Sequence, residues 1–373
     1  MGAKTILITG GAGFVGSHLA DLLLERGYKV RALDNLAPQV HGDGAERPEY
    51  LAPEVELVVG DIRDESVVRR AVNGVEAVFH FAATVGVGQS MYEIANYTSI
   101  NGDGTAVLLE ALAQKPVERL VVASSMSIYG EGLYRPADGE LAPGAERTIE
   151  QLRAHDWEIR DLDGEALTPV PTPETKCPAV PSVYAISKYQ QERLCMTVGR
   201  AYGIATVGLR FFNIYGTRQA LSNPYTGVLA IFASRFLNNK APLVNEDGEQ
   251  RRDFVSVHDV AQACCLALEK PEAAGHVFNV GSGHHYSINE IATRMASALG
   301  KEEIEQEIVG RCRVGDIRNC FADITLARKV LGYEPKVKLE AGLVDLAEWL
   351  EGQSAVDRVA DASKELAARG LAV

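Results

Sequence analysis

Two side chains that could share a proton lie four residues apart in this sequence. Tyr184 and Lys188 occur in the stretch YAISK, inside a segment whose pattern predicts a helix over 183–202. Residues four apart lie on one face of a helix, so the phenol and the ammonium would be neighbours. Moving a tyrosine pKa from roughly 10 to near 7 needs about 4 kcal/mol of phenolate stabilisation. A nearby cation has the right sign to supply it, so Tyr184 is a candidate general base.

A Tyr-Lys pair also occurs on ordinary amphipathic helices, so a second motif is needed. The stretch SSMSIYG, 124–130, directly follows an apolar segment that predicts a strand over 119–124. Ligands of parallel sheets bind at the carboxyl ends of the strands. The hydroxyls of Ser124, Ser125 and Ser127 would therefore lie where a substrate hydroxyl is held.

The chain begins with the elements that hold a dinucleotide. In ILITGGAGFVGS, 6–17, a predicted strand stops at glycines and a helix, predicted over 17–26, starts at once. The spacing of Gly10, Gly13 and Gly16 allows a tight turn, close approach of the backbone to a pyrophosphate, and close packing of helix on strand. Free amides and the positive end of the helix dipole would face the phosphates. Plain glycine turns also occur between strand and helix, so the context decides.

An acidic residue provides that context. The next predicted strand, 29–33, ends in Asp34, about twenty residues beyond the glycines, where a carboxylate can accept hydrogen bonds from both ribose hydroxyls. The same carboxylate repels a 2′-phosphate. NAD is therefore favoured over NADP.

Composition excludes several classes of protein. The 373 residues are 46% apolar and 23% charged, with a formal net charge of −13. A surface this acidic argues against non-specific binding to nucleic acid and against attachment to anionic membranes. The six cysteines form no CxxC pair, which indicates neither a zinc site nor a disulfide scaffold. No apolar run approaches a membrane span, and we expect a cytoplasmic protein that binds no metal.

Short apolar strands alternate with helical patterns up to residue 216. This alternation predicts an α/β fold, a Rossmann doubly wound parallel sheet with helices on both faces. The elements that follow are more mixed, and we assign 217–350 to a smaller mixed α/β substrate-binding domain, with 254–265 returning to the first domain. The proline-rich segment 131–181 is an insertion, either a lid or a disordered loop. The tail 351–373 has helical spacing over 354–368, and we assign it no chemistry.

The motifs together resemble the extended short-chain dehydrogenase/reductases and, within them, the nucleotide-sugar 4-epimerases. The resemblance covers nearly the whole chain, and the motifs fall in the family's order: GGAGFVG at 10–16, Asp34, GD at 60–61, HFAA at 80–83, Asn101 with GT at 104–105, SSMSIYG, YAISK, LRFFNIYG at 209–216, RRDFVSVHDV at 251–260 and RVGDIR at 313–318.

The resemblance implies roles for these residues. Tyr184 matches the general base, Lys188 the residue that holds the nicotinamide ribose and lowers the tyrosine pKa, and Ser125 their hydroxyl partner. The cofactor-binding residues it implies are Gly10, Gly13, Phe14, Val15, Gly16, Asp34, Asn35, Asp61, Ile62, Phe81, Ala82, Ala83, Asn101, Ser124, Tyr184 and Lys188, with Asp61 contacting adenine. The substrate-binding residues are Ser125, Ser127, Asn213, Arg252, Arg313 and Asp316. Arginines suit paired phosphate oxygens, although surface ion pairs are the alternative for Arg252 and Arg313.

The reaction class follows from two missing acids. Dehydratases and decarboxylases of the same family carry acidic residues where this chain has Met126 and Ser127. Without a carboxyl group there, those reactions lack their acid or base, so inversion at C4 through a 4-keto sugar is favoured.

Three stretches are most similar to bacterial dTDP-L-rhamnose 4-epimerases: 38–42, 86–93 and 219–225. Val85, where UDP-galactose 4-epimerases carry a lysine, favours the same sugar. The alternatives are a UDP-glucose, UDP-galactose or uronate 4-epimerase, a 4-ketoreductase that releases its cofactor after each turnover, and an NAD-binding regulatory protein without chemistry. The resemblance also implies a homodimer, formed through the tyrosine helix and the helix predicted over 101–113.

Overall fold

The computed structural model describes residues 3–137, 139–313 and 315–372. Numbered along the chain, its strands are β1 Thr5–Thr9, β2 Lys29–Asp34, β3 Glu56–Val59, β4 Ala77–His80, β5 Arg119–Ser125, β6 Leu133–Arg135, β7 Ala142–Pro143, β8 Thr168–Val170, β9 Ala205–Phe211, β10 Asn213–Tyr215, β11 Leu243–Val244, β12 Arg251–Arg252, β13 Phe254–Ser256, β14 Val277–Val280, β15 Tyr286–Ser287, β16 Glu307–Ile308 and β17 Asn319–Cys320.

The helices are α1 Phe14–Glu25, α2 Pro38–His41, α3 Glu65–Ala71, α4 Val87–Ser90, α5 Ile94–Thr98, α6 Gly104–Gln114, α7 Ile149–Arg153, α8 Val183–Tyr202, α9 Val228–Leu237, α10 Val257–Glu269, α11 Ile288–Ala298, α12 Thr325–Leu331, α13 Leu339–Leu350 and α14 Val359–Ala368. A π turn over Ser99–Asp103 precedes α6, and a 3₁₀ turn over Met126–Tyr129 follows β5.

Seven parallel strands form the central sheet, in the order β14-β9-β5-β4-β1-β2-β3. Helices α1 and α10 cover one face, where Leu19 and Cys264 lie in a shared apolar core. Helices α3, α6 and α8 cover the other, where Leu108 and Cys195 are buried. Because apolar strands of a parallel sheet need cover on both faces, this arrangement is the doubly wound fold expected from the sequence, and the fold prediction is confirmed.

A second core lies beyond the carboxyl ends of the strands. Helices α9, α11 and α13 contribute Phe232, Met295 and Leu343 to it, all buried. Strand β10, which leaves the sheet after β9, pairs in parallel with β13. From β13 the chain enters α10, which packs on α1. The later strand β14 also belongs to the large sheet, although it lies within the segment 217–350 that we expected in the smaller domain.

The insertion 131–181 carries regular structure. Strands β6, β7 and β8 form a small antiparallel sheet, and α7 occupies the middle of the helix expected near 146–155. Tyr134, Ile159 and Leu167 form a small buried cluster within it. Its described residues therefore form a small folded unit and not a disordered loop.

Helix α14 is shorter than the helix expected over 354–368, because the chain from Gln353 to Arg358 has no regular secondary structure and is anchored by its own contacts. Asp357 pairs with Arg235 (3.1 Å) and with Lys240 (2.8 Å). None of the helices in the described part of the chain is both long and apolar enough to cross a membrane.

Candidate active site

A cavity of ≈ 950 Å³ runs along the carboxyl ends of the central strands, from the glycine turn to the second core. All the site residues expected from the sequence line it except Asn101. Cavities of this size at the edge of a parallel sheet are typical ligand sites. The elements below explain how each group reaches it.

The glycine turn begins at Gly10, whose φ of +72° favours glycine. A side chain at Gly16 would bring its Cβ to 2.3 Å from the carbonyl oxygen of Gly10, so only glycine lets α1 start this close to β1. Helix α1 begins at Phe14, three residues earlier than expected, with Gly13 as its N-cap. The free amides of its first turn therefore belong to the glycine motif itself, which suits a pyrophosphate.

Asp34 is fixed against this turn. Its Oδ2 accepts a hydrogen bond from the amide of Ala12 (3.0 Å), and its Oδ1 accepts one from the amide of Leu36 (3.0 Å). The imidazole of His41 lies 3.7 Å from Oδ1, and burial lowers the pKa of this imidazole even though Asp34 opposes the shift. The carboxylate thus lines the cavity with a fixed orientation, as a ribose ligand requires.

Asp61 is held by its neighbour Arg63. The Arg63 amide and Nε donate to Asp61 Oδ1 at 2.8 and 2.9 Å, and Nη2 donates to Oδ2 at 2.6 Å. Hydrogen bonding to Arg63 is the main cause that lowers the pKa of Asp61. The carboxylate therefore stays ionised as an acceptor at the rim of the cavity, where the resemblance puts the adenine contact.

A buried polar network, which the motif analysis did not identify, orients the loop Phe81–Val85. The Thr9 hydroxyl accepts from the amides of Phe81 (3.2 Å) and Ala82 (3.1 Å) and bonds to His80 Nδ1 (2.8 Å). The His80 Nε2 bonds to the hydroxyl of Thr105 at 2.8 Å. Burial lowers the pKa of His80 to about 3, so the ring is neutral and acts in positioning. The sequence does contain a signal for this network, because Thr9 and His80 are the last residues of two neighbouring strands of the central sheet.

Asn101 is placed differently from the other residues expected to contact the cofactor. It is fully buried in the π turn before α6 and is not among the cavity residues. Its amide group bonds to both backbone groups of Thr84 (2.8 and 3.1 Å) and donates to the hydroxyl of Ser187 (2.8 Å). These bonds connect the 81–85 loop to α8 through Asn101.

Helix α8 brings Tyr184 and Lys188 to the cavity. The hydroxyl of Ser182 caps its N-terminus by accepting from the Ala185 amide (3.1 Å). The amide of Tyr184 donates to the hydroxyl of Ser90 (3.0 Å), so the tyrosine is also tied to α4. Lys188 Nζ donates to Gln191 Oε1 at 2.7 Å. Gln191, three residues further along the same face, is a positioning residue that the YAISK motif alone does not reveal.

The pKa shifts differ from the expectation for Tyr184. Burial raises the pKa of Tyr184, and the hydrogen bond with the Ser125 hydroxyl only opposes this. Burial also lowers the pKa of Lys188 to about 8. The expected lowering of the tyrosine pKa by Lys188 is therefore not a property of the described residues alone, because the ammonium is itself desolvated and bonded to Gln191. A bound nicotinamide cation would supply the missing positive charge.

The serines after β5 are arranged to meet a ligand. Ser125 Oγ lies 3.0 Å from Ser127 Oγ and accepts from the Ser127 amide at 3.1 Å. Ser124 Oγ is buried and, among the residues described, has no hydrogen-bond partner. An unpartnered buried hydroxyl facing a cavity is costly unless a ligand completes it. Together with the glycine cradle and the fixed Asp34, these groups fit NAD.

The predicted diphosphate residues lie at the other end of the cavity. Arg252 donates through Nη1 to the carbonyls of Arg251 and Arg318 (2.9 Å each) and through Nη2 to Ile317. Arg313 pairs with Asp316 at 2.9 Å. Asp316 thus orients an arginine in addition to lining the cavity. Asn213 Oδ1 is buried without a partner in the described chain, which leaves an acceptor for a ligand.

Two findings at this end were missed by the sequence analysis. The described residues of the insertion 131–181 are absent from the cavity lining, and its role as a lid stays a prediction. The tail supplies lining residues instead: Val359, Ala362, Ser363, Leu366 and Ala372. Their helical spacing was visible, but nothing in the sequence says which surface a helix covers.

Comparisons with known proteins agree with this geometry. The family model described as "NAD dependent epimerase/dehydratase family" matches residues 6–150 and 165–281. A dTDP-L-rhamnose 4-epimerase from Burkholderia thailandensis is 35% identical over 93% of this chain and 95% of that protein.

Solved structures lead to the same family. A UDP-glucose 4-epimerase from Thermotoga maritima, solved with UDP-glucose, has a TM-score of 0.76 and 33% identity over 93% of this chain and 99% of that chain. The Thermus thermophilus UDP-glucose 4-epimerase, solved with NAD, has a TM-score of 0.73 and 31% identity over 94% and 99% of the two chains. The resemblance seen in the motifs is confirmed: this chain belongs to the NAD dependent epimerase/dehydratase family, as an extended short-chain dehydrogenase/reductase that uses NAD.

Proposed function

We propose that this protein inverts C4 of dTDP-L-rhamnose, acting as an NAD-dependent nucleotide-sugar 4-epimerase. The observation that carries the proposal is that Tyr184, Lys188 and Ser125 line one cavity, which is also lined by Arg252 and Arg313. A base and a hydroxyl donor at one end, with cations at the other, suit a substrate that is anchored by its diphosphate and reacts at its sugar.

In this proposal the chain's own groups move one proton and hold the sugar. Bound NAD supplies the chemistry of accepting a hydride from C4 and returning it. Tyr184, as the phenolate, takes the proton of the C4 hydroxyl, and Ser125 holds that oxygen. The resulting 4-keto sugar turns over and presents its other face. Tyr184 then gives the proton back to the C4 oxygen, so the inverted alcohol forms with no net redox change.

The diphosphate must be anchored in a way that still lets the sugar turn over. Arg252 and Arg313 can hold the diphosphate while the sugar is free to rotate, because arginine binds paired phosphate oxygens through a planar fork. Arg313 is braced by Asp316, and Arg252 is braced by the carbonyls of the same loop. A fixed diphosphate and a mobile sugar are the division of labour that epimerisation needs.

The same pocket disfavours the family's other reactions. Met126 is buried and apolar at the position where dehydratases and decarboxylases carry an acid, and Ser127 follows it. Neither side chain can serve as a carboxylic acid.

The sugar assignment is supported by the segments that meet at the substrate end. Gln39 Nε2 donates to Gln89 Oε1 and to Asn223 Oδ1, both at 3.0 Å. Tyr92 and Tyr225 bond through their hydroxyls at 2.7 Å. These residues belong to the stretches 38–42, 86–93 and 219–225, which are the ones most similar to dTDP-L-rhamnose 4-epimerases. The three stretches therefore contact one another through these hydrogen bonds.

UDP-glucose, UDP-galactose or a uronate remains the alternative substrate class, and Val85, which lines the cavity without a charge, favours the deoxysugar. A 4-ketoreductase would share the residues above but release its cofactor. A regulatory protein without chemistry would not need Tyr184 and Lys188. The homodimer stays a prediction.

The test is proton NMR of the purified protein with dTDP-L-rhamnose and, separately, with UDP-glucose, without added cofactor. We expect the coupling of the C4 proton to report inversion of the rhamnose, and Tyr184→Phe to reduce the rate by roughly 10²- to 10⁴-fold. Tyr202→Phe, at the exposed end of the same helix, is the matched control and should keep its activity. Inversion of UDP-glucose alone would transfer the assignment to that sugar, and silence with both substrates and added NAD would reject the proposal.

A further inference from the structure

We infer that helix α14 supplies an apolar wall of the nucleotide-sugar site, in which Leu366 and Ala362 select a sugar whose exposed edge is apolar, such as a 6-deoxysugar. The inference rests on the proposed function and deepens it. It assigns a specificity-determining role to a segment for which the motifs gave no chemistry.

One face of α14 is turned toward the cavity. Its lining residues, Val359, Ala362, Ser363 and Leu366, follow the spacing i, i+3, i+4, i+7 of a single helical face. The residues between them, Asp361, Lys364 and Glu365, are exposed. The apolar stripe of an amphipathic helix normally covers a core. Here Leu366 is the buried residue of the helix, and the rest of the stripe borders an open space that a ligand can fill.

Contacts connect this wall to the catalytic tyrosine. A side chain at Gly88 would bring its Cβ to 3.3 Å from Leu366 Cδ1, so Leu366 lies directly on α4. Two residues further along α4, the Ser90 hydroxyl accepts the amide hydrogen of Tyr184 (3.0 Å). Leu366 and Tyr184 therefore both contact α4, and both line the same cavity. A sugar whose C4 reaches the tyrosine would have α14 within reach of its other edge.

The wall is held at both ends. Before the helix, Asp357 pairs with Arg235 and Lys240. After it, Arg369 lies over the ring of Tyr92, with its guanidinium carbon 4.4 Å from the ring centroid. These contacts fix the helix in the cavity wall.

The segment after α14 also meets the predicted diphosphate site. Ala372 forms an antiparallel bridge with Arg313, the arginine expected to hold the diphosphate. The same segment thus borders both the sugar and its anchor. A segment that recognises the whole nucleotide sugar would need to lie beside the sugar and also beside the arginine that holds the diphosphate.

The chemistry of the wall favours a methyl group. Among the described residues that α14 presents to the cavity, the only polar side chain is the hydroxyl of Ser363, and none is charged. A C6 carboxylate would find no cation on this surface, and a hydroxymethyl group would lose hydrogen bonds to water. A C5 methyl group instead buries its surface against Ala362 and Leu366.

Binding to the NAD-loaded Tyr184→Phe protein separates the sugar from the nucleotide, because that variant is not expected to turn the sugar over. We would measure Kd for dTDP-L-rhamnose and for dTDP by calorimetry, in this background and with Leu366→Gln, Ala362→Leu or Lys364→Gln added. Leu366→Gln makes the wall polar, and Ala362→Leu fills it while keeping it apolar. Lys364→Gln changes an exposed position of the same helix and is the control.

We expect both wall variants to weaken dTDP-L-rhamnose by roughly tenfold or more and to leave dTDP unchanged. Lys364→Gln should alter neither, and bound NAD, read by absorbance, should be retained in all. Equal weakening of dTDP and dTDP-L-rhamnose, or wall variants that behave like Lys364→Gln, would overturn the inference. Absence of C4 inversion by the wild-type protein would overturn the proposed function and this inference with it. If the wild-type protein is active but the wall variants bind dTDP-L-rhamnose with an unchanged Kd, the inference alone is overturned.

Discussion

The insertion 131–181 and the tail 351–372 both lie near the substrate end of the cavity, and they are built in opposite ways. The insertion is rich in proline and acid, and its described part stays out of the cavity. It instead buries charged groups against the loop that carries the predicted diphosphate residues. The tail buries one large apolar residue, Leu366, and places an apolar face in the cavity. The first segment braces the site and the second one borders it.

The brace is a network of buried charges. Glu131 accepts from the amides of Arg318 (2.6 Å) and Asn319 (3.1 Å) and from the hydroxyl of Tyr134 (2.8 Å). Arg147 pairs with Glu246 at 2.9 Å and donates to the carbonyl of Asp316 at 3.1 Å. Removing one partner of a buried ion pair leaves the other charge uncompensated, which is strongly destabilising. The loop 315–318 is therefore held in place by the insertion, which in turn fixes the carbonyls that orient Arg252.

The largest expected effect concerns this brace. Arg318 is 1% exposed and pairs with Glu246 (3.0 Å), Asp247 (2.6 Å) and Glu158 (2.6 Å). Arg318→Met leaves the buried Glu246 without this partner, so we expect the free energy of unfolding in urea to fall by about 3–5 kcal/mol. Arg369→Met, in the exposed part of the tail, is the control and should change it by less than about 1 kcal/mol. Similar losses of unfolding free energy in the two variants would show that the insertion does not stabilise the protein more than the tail does.

How far the sequence predicts these features depends on the distance between partners along the chain. The bounds of α8 agree with the expectation, because Ser182 caps the helix and Gly203 ends it in a left-handed conformation. Residues of the glycine turn and of YAISK reach the cavity for a similar reason, because their positions are set by residues close to them in the sequence. The motif match for Asn101 identified an important position but not its direction, since the π turn points the side chain inward.

Long-range contacts were beyond the sequence. Glu131 and Arg318 are 187 residues apart, and no periodicity connects them. The bridge between Arg313 and Ala372 is equally invisible in either segment alone. The composition of the insertion 131–181 is charged and proline-rich, which is also typical of a solvated loop. The amphipathic pattern of α14 is also typical of a helix that packs on a core, so neither pattern identifies the surface that the segment contacts. The elements at the cofactor end are therefore more predictable from the sequence than those at the substrate end.

The second prediction removes the border while keeping the brace. Ending the chain after Gln353 deletes α14 and its anchors. The cost of losing the buried Leu366 is offset by the backbone freedom that the released segment regains, so the free energy of unfolding should change by no more than about 1 kcal/mol. We expect kcat/KM for the nucleotide sugar to fall by on the order of 10²-fold, because the sugar end becomes open to water and loses its wall.

Bound NAD provides the internal standard for this deletion. Among the described residues, no hydrogen bond or ion pair joins the glycine turn, Asp34 or Asp61 to α14, so the truncated protein should retain NAD at the wild-type level, measured by absorbance after gel filtration. Loss of NAD, or a fall in stability comparable with that of Arg318→Met, would show that the tail is a structural element and not a border of the substrate site.

The smallest expected effect is a pH-dependent release of the tail, to which Asp357 contributes. Burial alone would raise the pKa of Asp357, but Lys240, the Val359 amide and Arg235 outweigh it and hold the pKa below its usual value. A carboxyl group whose pKa is lowered on folding stabilises the folded form above its unfolded pKa, and this stabilisation is lost as the pH falls through the folded value. Burial of Glu131 in the brace raises its pKa, so protonation there favours the folded form as the pH falls.

Acidification below about pH 3.8 should therefore loosen the anchor of the tail, whereas the stabilisation from protonating Glu131 is already complete at about pH 4.5. Asp357→Asn should reproduce the loosening at neutral pH. It removes the ion pairs with Arg235 and Lys240 and costs roughly 1 kcal/mol of local opening, or about a fivefold faster hydrogen exchange of the α14 amides. Amides of β6 and β8 serve as the reference and should exchange at the wild-type rate. If Asp357→Asn leaves α14 as protected as before, Arg369 and the Ala372 bridge, rather than the acidic anchor, hold the border in place.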